Sequence, residues 1–231
     1  MNDTLVLSLF PGIGLLDMAF EQEGFCVVRG PDLLWGGDIC IFHPPPGRFD
    51  GVIGGPPCQA FSRLRHLLQA TGNDVKHGNL IPEFERCVVE AQPGWFLMEN
   101  VSQAPEPQVP GYLVHNCVLD SRWVGSVQSR KRRFSFGTRD GRSLSVDVVA
   151  LEPFERAVAV LAGHGPVGRG KGHQRSPTIA EACELQGLPS DFLDESPFTA
   201  HGKRKVLGNG VPLPMGRAIA KAVRRTCLVS G

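Results

Sequence analysis

The sequence is most informative first in what it lacks. Its 231 residues contain no apolar run of 18, so no membrane span is expected. The opening Met-Asn-Asp-Thr-Leu-Val carries neither a basic leader nor a small-residue cleavage site, so a secretory signal is not expected and a cytoplasmic location is. The seven cysteines (Cys26, Cys40, Cys58, Cys87, Cys117, Cys183, Cys227) form no CxxC pair, and the seven histidines no HxxxH pair. An odd, dispersed set argues against a disulfide framework or a zinc cluster and for a reducing compartment; no metal site is expected, and one cysteine is free to serve as a nucleophile. Aromatics are few, with 3 Trp and 1 Tyr beside 13 Phe. The 28 glycines and 19 prolines, about a fifth of the chain, are scattered among apolar runs, which indicates a loop-rich globular protein and not low complexity.

What is present is unevenly charged. Residues 1–121 hold 6 Lys and Arg against 14 Asp and Glu, a net of −8, and residues 122–231 hold 18 against 9, a net of +9. A basic C-terminal half implies a polyanion partner on one side of the molecule. The apolar segments Thr4–Phe10, Phe25–Arg29, Asp50–Gly54 and Trp95–Met98 read as strands, with Arg122–Val127 and Phe134–Thr138 as a further neighbouring pair. Helical spacing follows Gly14 and recurs over Ile81–Ala91, Thr178–Gln186 and about Leu213–Arg225. Strands alternating with helices indicate an α/β protein with a mostly parallel sheet. Residues 163–175, with five glycines and no periodicity, read as a mobile basic loop.

Several segments carry chemistry. A strand ending in Phe10-Pro-Gly12-Ile-Gly14 and opening a helix suits a nucleotide-like ligand, whose approach the glycines permit. Asp17 stands three residues after Gly14, where a dinucleotide fingerprint has its third glycine, so a cofactor without phosphates fits better. Gly54-Gly-Pro-Pro-Cys58-Gln59-Ala-Phe-Ser62 displays a cysteine behind two prolines at a strand end, where α/β active sites collect. Such a thiol needs a positive or helix-end environment to become the reactive thiolate. Glu99, at the end of the Trp95-Phe-Leu-Met run, requires a partner or a substrate, because an unpaired carboxylate is costly there. In Gln128-Ser-Arg130-Lys-Arg132-Arg133-Phe134, period 2 places Arg130 and Arg132 on one strand face.

Together with Arg175-Ser-Pro-Thr178-Ile-Ala-Glu181, Leu185-Gln186-Gly187 and Leu207-Gly-Asn209-Gly210-Val211, these motifs run in an order that resembles the cytosine-C5 DNA methyltransferases, from about Leu5 to Val223, in the form of a small bacterial or phage member. The resemblance implies an α/β class I S-adenosylmethionine-dependent methyltransferase fold, Rossmann-like, with a mixed, mostly parallel sheet and a very small recognition subdomain. It implies a catalytic core over 1–138, a reduced recognition region over 139–176, and C-terminal motifs over 177–231 whose last helix packs back on the core. Cys58 would be the nucleophile at cytosine C6, Glu99 would hydrogen-bond and protonate N3, and Arg132 with Arg130 would hold Glu99 and the cytosine O2. Phe10, Gly12, Gly14, Asp38, Pro57, Leu80 and Asn209 match cofactor contacts, and Asp32 is the choice for the ribose hydroxyls. The cofactor would be S-adenosyl-L-methionine, leaving S-adenosyl-L-homocysteine, with no metal.

Double-stranded DNA would be the partner of a protein that is monomeric off DNA. Gln59, Ser62, Arg63, Arg65 and Lys76 would face it from a closing loop, and Arg169, Lys171 and Arg175 from the basic loop. The resemblance has one gap: between the arginine motif and the segment that begins at Arg175 and leads into the Leu-Gln-Gly motif, only Thr138 to Gln174, fewer than forty residues, is left for recognition, where members with a dedicated recognition domain carry a long insert. A short or relaxed target, binding mainly through phosphates, or recognition borrowed from a partner protein or second copy each fit that gap, the first best. Gly210 also stands where members of the family often carry a small hydroxyl residue. Two other functions stay open: a silent DNA- or cofactor-binding decoy, and the same chemistry on RNA or a nucleotide. The RNA-acting relatives carry a Cys-Phe-Thr insert after the glutamate motif, which Ser102-Gln-Ala-Pro lacks.

Overall fold

A computed structural model of the chain describes residues 4–57, 78–149, 160 and 176–228. Six strands form one sheet: β1 (Thr4–Leu9), β2 (Phe25–Arg29), β3 (Gly51–Gly54), β4 (Trp95–Asn100), β5 (Leu113–Asp120) and β6 (Lys131–Thr138), in the spatial order β2-β1-β3-β4-β6-β5. The first four run parallel, β6 pairs antiparallel with β4, and β5 antiparallel with β6. Among the described residues the helices are α1 (Leu15–Gln22), α2 (Ile81–Ala91), α3 (Ile179–Leu185), α4 (Ala200–Asn209) and α5 (Leu213–Leu228). Among the described residues no helix is long and apolar enough to cross a membrane.

The alternation of side chains along each strand explains why both faces of the sheet are covered. Val6, Ile53, Leu97, Phe134 and Phe136 share one core with Phe20 of α1 and with Met215, Ile219 and Val223 of α5. Leu7, Leu9, Val52, Phe96 and Met98 share the opposite core with Ile81, Phe84, Cys87 and Val88 of α2. Strands buried on both sides must read as continuous apolar runs, as β1, β3 and β4 do. The last helix therefore closes on the first, and its apolar face lies against the sheet. A third cluster joins Leu15 of α1 to Ala182, Cys183, Leu193 and Leu207, so the C-terminal helices rest on the start of α1.

Two elements differ from the sequence expectation. The segment read as a strand over Arg122–Val127 is a 3-10 turn at Ser121–Val124, because the Asp120 side chain accepts from Arg122 N and Gly125 turns the chain at φ 90. The strand lies just upstream, as β5. α4 was not expected: Thr199 caps it, and only Val206, Leu207 and Gly208 near its far end are buried.

Candidate active site

The parallel strands bring their carboxyl ends to one edge, and the chain leaves that edge through two loops. The first follows β1. Phe10 takes φ 55, Gly12 φ 58 and Gly14 φ 82, so the chain turns sharply before α1. Positive φ suits glycine but strains Phe10. The turn is fastened from the exit of β2: Gly12 N donates to Asp32 Oδ2 at 2.8 Å, and Trp35 Nε1 donates to Gly12 O at 2.7 Å. The other carboxylate oxygen of Asp32 accepts from Leu34 N at 2.7 Å. Asp32, expected at a ribose, thus already braces the loop with both oxygens. Asp38 caps the next 3-10 turn through Cys40 N and is exposed at the same edge. Phe10 and Leu80 pack against one core cluster, giving the edge an apolar floor.

The C-terminal motif also reaches this loop. A Cβ on Gly210 would stand 2.5 Å from Leu15 Cδ1, so a glycine there leaves room for Leu15 at the start of α1. Asn209, its neighbour, is the exposed last residue of α4.

The second loop follows β3. Asn100 Nδ2 donates to Pro56 O at 3.1 Å, tying the Gly54-Gly-Pro-Pro57 exit to the end of β4. Glu99 sits beside it, 8% exposed. A Cβ on Gly55 would lie 3.0 Å from Glu99 Oε2, so the absence of a side chain at Gly55 lets the carboxylate reach the segment that leads to Cys58. The antiparallel register supplies its partner. Glu99 pairs with Phe134, so Arg132, two residues earlier on β6, falls on the same face. Arg132 Nε lies 2.7 Å from Glu99 Oε1.

Arg130 has partners that the strand period did not indicate. It precedes β6, is 5% exposed, and donates to Val160 O at 3.1 Å and Gly208 O at 2.7 Å. It thereby joins the start of β6 to the C-terminal helices. Gln128 and Gln186, both fully buried, add to this junction. Gln128 Nε2 donates to Leu185 O at 2.5 Å and to Gln186 Oε1 at 3.2 Å, and its Oε1 accepts from Val160 N at 3.2 Å. Gln186 Nε2 donates to Leu207 O at 2.5 Å. Sequence reasoning did not single out Trp35, Asn100, Gln128 or Gln186 as contacts. Gln128 and Gln186 stand within the arginine and Leu-Gln-Gly motifs and Asn100 directly follows Glu99, which was the available signal; Trp35 had none.

Cys58, Gln59, Ser62, Arg63, Arg65, Lys76, Arg169, Lys171 and Arg175 lie outside the described residues. Among the described residues no group of three or more His, Cys, Asp or Glu is placed to hold a metal ion.

Comparison with known proteins accords with this arrangement. Residues 38–159 match the C-5 cytosine-specific DNA methylase family. The type II methyltransferase M.HgiDI of Herpetosiphon aurantiacus is 31% identical over 166 residues, covering 58% of this chain and 52% of that protein. The type II methyltransferase M.AgeI of Thalassovita gelatinovora is 33% identical over 227 residues, covering 82% of this chain and 51% of that protein. The chain thus spans about half the length of these two relatives. The solved structure of the Entamoeba histolytica methyltransferase EhMeth superposes with a TM-score of 0.65 at 13% identity, over 97% of this chain and 98% of that one. That likeness concerns the fold, which is the α/β class I methyltransferase fold with a mixed, mostly parallel sheet. The chain belongs to the C-5 cytosine-specific DNA methylase family.

Proposed function

We propose that the protein is a DNA (cytosine-5)-methyltransferase that uses S-adenosyl-L-methionine. The observation that carries this reading is the Glu99–Arg132 pair at the carboxyl edge of the sheet, with the Glu99 carboxylate against Gly55, three residues ahead of Cys58. The cofactor suits the loop after β1: a Cβ on Gly12 would meet nothing within 4 Å, so the turn is open on that side. Phe10 and Leu80 offer an apolar surface and Asp38 an exposed acceptor for the adenine end, with Pro57, Gly14 and Asn209 completing the set. Bound there, S-adenosylmethionine supplies the methyl group and leaves as S-adenosylhomocysteine.

The chain's own residues then have defined tasks. C5 of cytosine is too weak a nucleophile to take a methyl group unaided. The Cys58 thiolate adds to C6 and opens the C5–C6 double bond, while Glu99 delivers a proton to N3, so that no charge builds up on the ring. Arg132 holds Glu99 in place and, with Arg130 bracing the start of β6, faces the cytosine O2. After C5 is methylated it loses its proton to a base, Cys58 is eliminated and the N3 proton returns to Glu99. The target base leaves the stack to reach Cys58, at a cost of a few kcal/mol. Gln59, Ser62, Arg63, Arg65, Lys76, Arg169, Lys171 and Arg175 contact the DNA, mostly at phosphates, and the target is short or relaxed because residues 139–176 leave little to read base edges.

The test is transfer of labelled methyl from S-adenosylmethionine to duplex DNA, with RNA of the same sequence beside it. Wild type labels the DNA, Cys58→Ala does not, and Glu99→Gln is slower by about 10²–10⁴-fold, the usual contribution of a positioned acid. Labelling of RNA alone would overturn the acceptor, and labelling by Cys58→Ala would overturn the mechanism.

A further inference from the structure

The loop after β1 keeps a backbone that a free peptide would avoid. Phe10 at φ 55 belongs to a class of conformation that is unfavourable for a residue with a side chain and persists only where the surroundings over-determine it. The Asp32 and Trp35 contacts hold the middle of the loop at Gly12. Its far end, at Gly14, has no side-chain cap for the helix it opens.

That end is held by a group the chemistry above does not use. Asp17, in the first turn of α1, is fully buried where the helix meets the sheet. Ser8 Oγ, at the end of β1, donates to Asp17 Oδ1 at 2.5 Å, and Arg29 Nε, the last residue of β2, lies 3.0 Å from Asp17 Oδ2. Burial pushes the Asp17 carboxyl up, opposed by the Ser8 hydroxyl and the Arg29 charge. A pair between a buried carboxylate and a half-exposed guanidinium adds little net stability, because the desolvation of the carboxylate offsets much of the attraction. Its geometric effect is specific. The pair draws Arg29 across the start of α1 until Nη2 stands 2.7 Å from where a Cβ on Gly14 would be. The guanidinium fills the side-chain space of Gly14, which at φ 82 is free to accept it.

We infer that Asp17 and Arg29, seated by Ser8, are a positioning pair for the cofactor loop: they lock Gly14 and so keep Phe10 in its strained conformation, competent for S-adenosylmethionine. The inference rests on reading this loop as the cofactor site. Without the pair the strained loop relaxes, and the affinity falls by the fraction of molecules still competent, a tenfold smaller fraction giving a tenfold weaker Kd.

Titration calorimetry of the full chain with S-adenosylhomocysteine tests this, alongside thermal unfolding and initial rates. Arg29→Gln, at a half-exposed position, is expected to weaken binding about tenfold with the Tm little changed, raising the KM for S-adenosylmethionine while kcat at saturation stays within about twofold. Arg29→Lys, which keeps the charge, restores part of the affinity. Asp17→Asn weakens binding similarly, and the double variant is no worse than either single one, because the two act as a unit. An unchanged Kd in folded Arg29→Gln protein, whether or not its Tm falls, would reduce the pair to scaffolding and overturn the inference, as would additive effects of the two substitutions. If the wild type itself does not bind, the cofactor reading of the loop fails and the inference with it. If the wild type binds and Arg29→Gln binds equally well, the inference alone fails.

Discussion

Replacing Arg132 with glutamine removes the guanidinium 2.7 Å from Glu99 and leaves the carboxylate in place. The side chains of Arg132 and Glu99 are 16% and 10% exposed, so the abandoned charge has little water to turn to. Removing one partner of a buried pair costs about 3–5 kcal/mol, and the remaining exposure argues for a value below that range, about 2–3 kcal/mol. Glu99→Gln removes the charge itself, and an Arg132→Gln change made on top of it strands nothing. The double variant should therefore be almost as stable as Glu99→Gln alone, with a coupling of about 2 kcal/mol. Urea unfolding of wild type, both single variants and the double variant at neutral pH measures each corner of the cycle. Effects that add within about 0.5 kcal/mol would show that the two groups do not depend on each other, and the placement of Glu99 by Arg132 would be refuted.

Further outcomes follow from packing and titration. Gly51→Ala would put a Cβ 2.2 Å from the Trp95 ring, and Gly137→Ala 2.2 Å from the Phe96 ring. Each should destabilise by at least about 1–3 kcal/mol, seen as a Tm lowered by several degrees in a thermal melt. Gln186→Leu removes one of the two bonds to the Leu207 carbonyl, which keeps Gly210 N, and leaves one N–H of the Gln128 amide unpaired in a buried junction, which should cost about 1–3 kcal/mol in urea unfolding and slow methyl transfer by loosening the start of β6. Burial pushes the Cys87 thiol up to about 11 from an ordinary 9.0. Its folded state therefore holds the proton longer than the unfolded one, and the stability it contributes is complete below pH 9.0 and lost as pH rises toward about 11. Melts across that range should show the decline, and Cys87→Ala should flatten it. Affinity for duplex DNA should fall steeply between low and physiological salt in a fluorescence titration, because the contacts are mostly with phosphates; a flat response would contradict that.

The sequence was most legible where burial is total. β1, β3 and β4 are enclosed on both faces, so they are near-continuous apolar runs with nothing to confuse them with. β5 lies at the edge of the sheet, with Leu113, His115, Asn116 and Val118 exposed, and its mixed composition carries no period. The apolar residues Trp123, Val124 and Val127 that mimicked a strand owe their place to the turn capped by Asp120. α4 escaped notice because Gly202 and its run of basic residues break any apolar stripe, while the cap at Thr199 and the burial of Leu207 depend on distant neighbours.

The candidate site divides in the same way. That Glu99 needed a partner followed from the cost of a buried carboxylate, and the strand period put Arg132 on the correct face. The same period gave no sign of the partners of Arg130, which lies one residue before β6 begins and donates to the carbonyls of Val160 and Gly208. The contacts of Asp32 and Trp35 with Gly12 span about twenty residues, and local pattern carries no trace of them. Nothing in the spacing of Asp17 and Arg29 signals that they meet across the start of α1.

Methyl transfer itself is tested most directly by bisulfite or nanopore sequencing of plasmid DNA from a methylation-free host expressing this chain, with Cys58→Ala expressed in parallel. Methylated cytosines in the wild-type sample that are absent from the control are the predicted result, and their flanking bases will show how much sequence the short region 139–176 reads. Unmethylated plasmid from cells that contain soluble, S-adenosylhomocysteine-binding protein would contradict it.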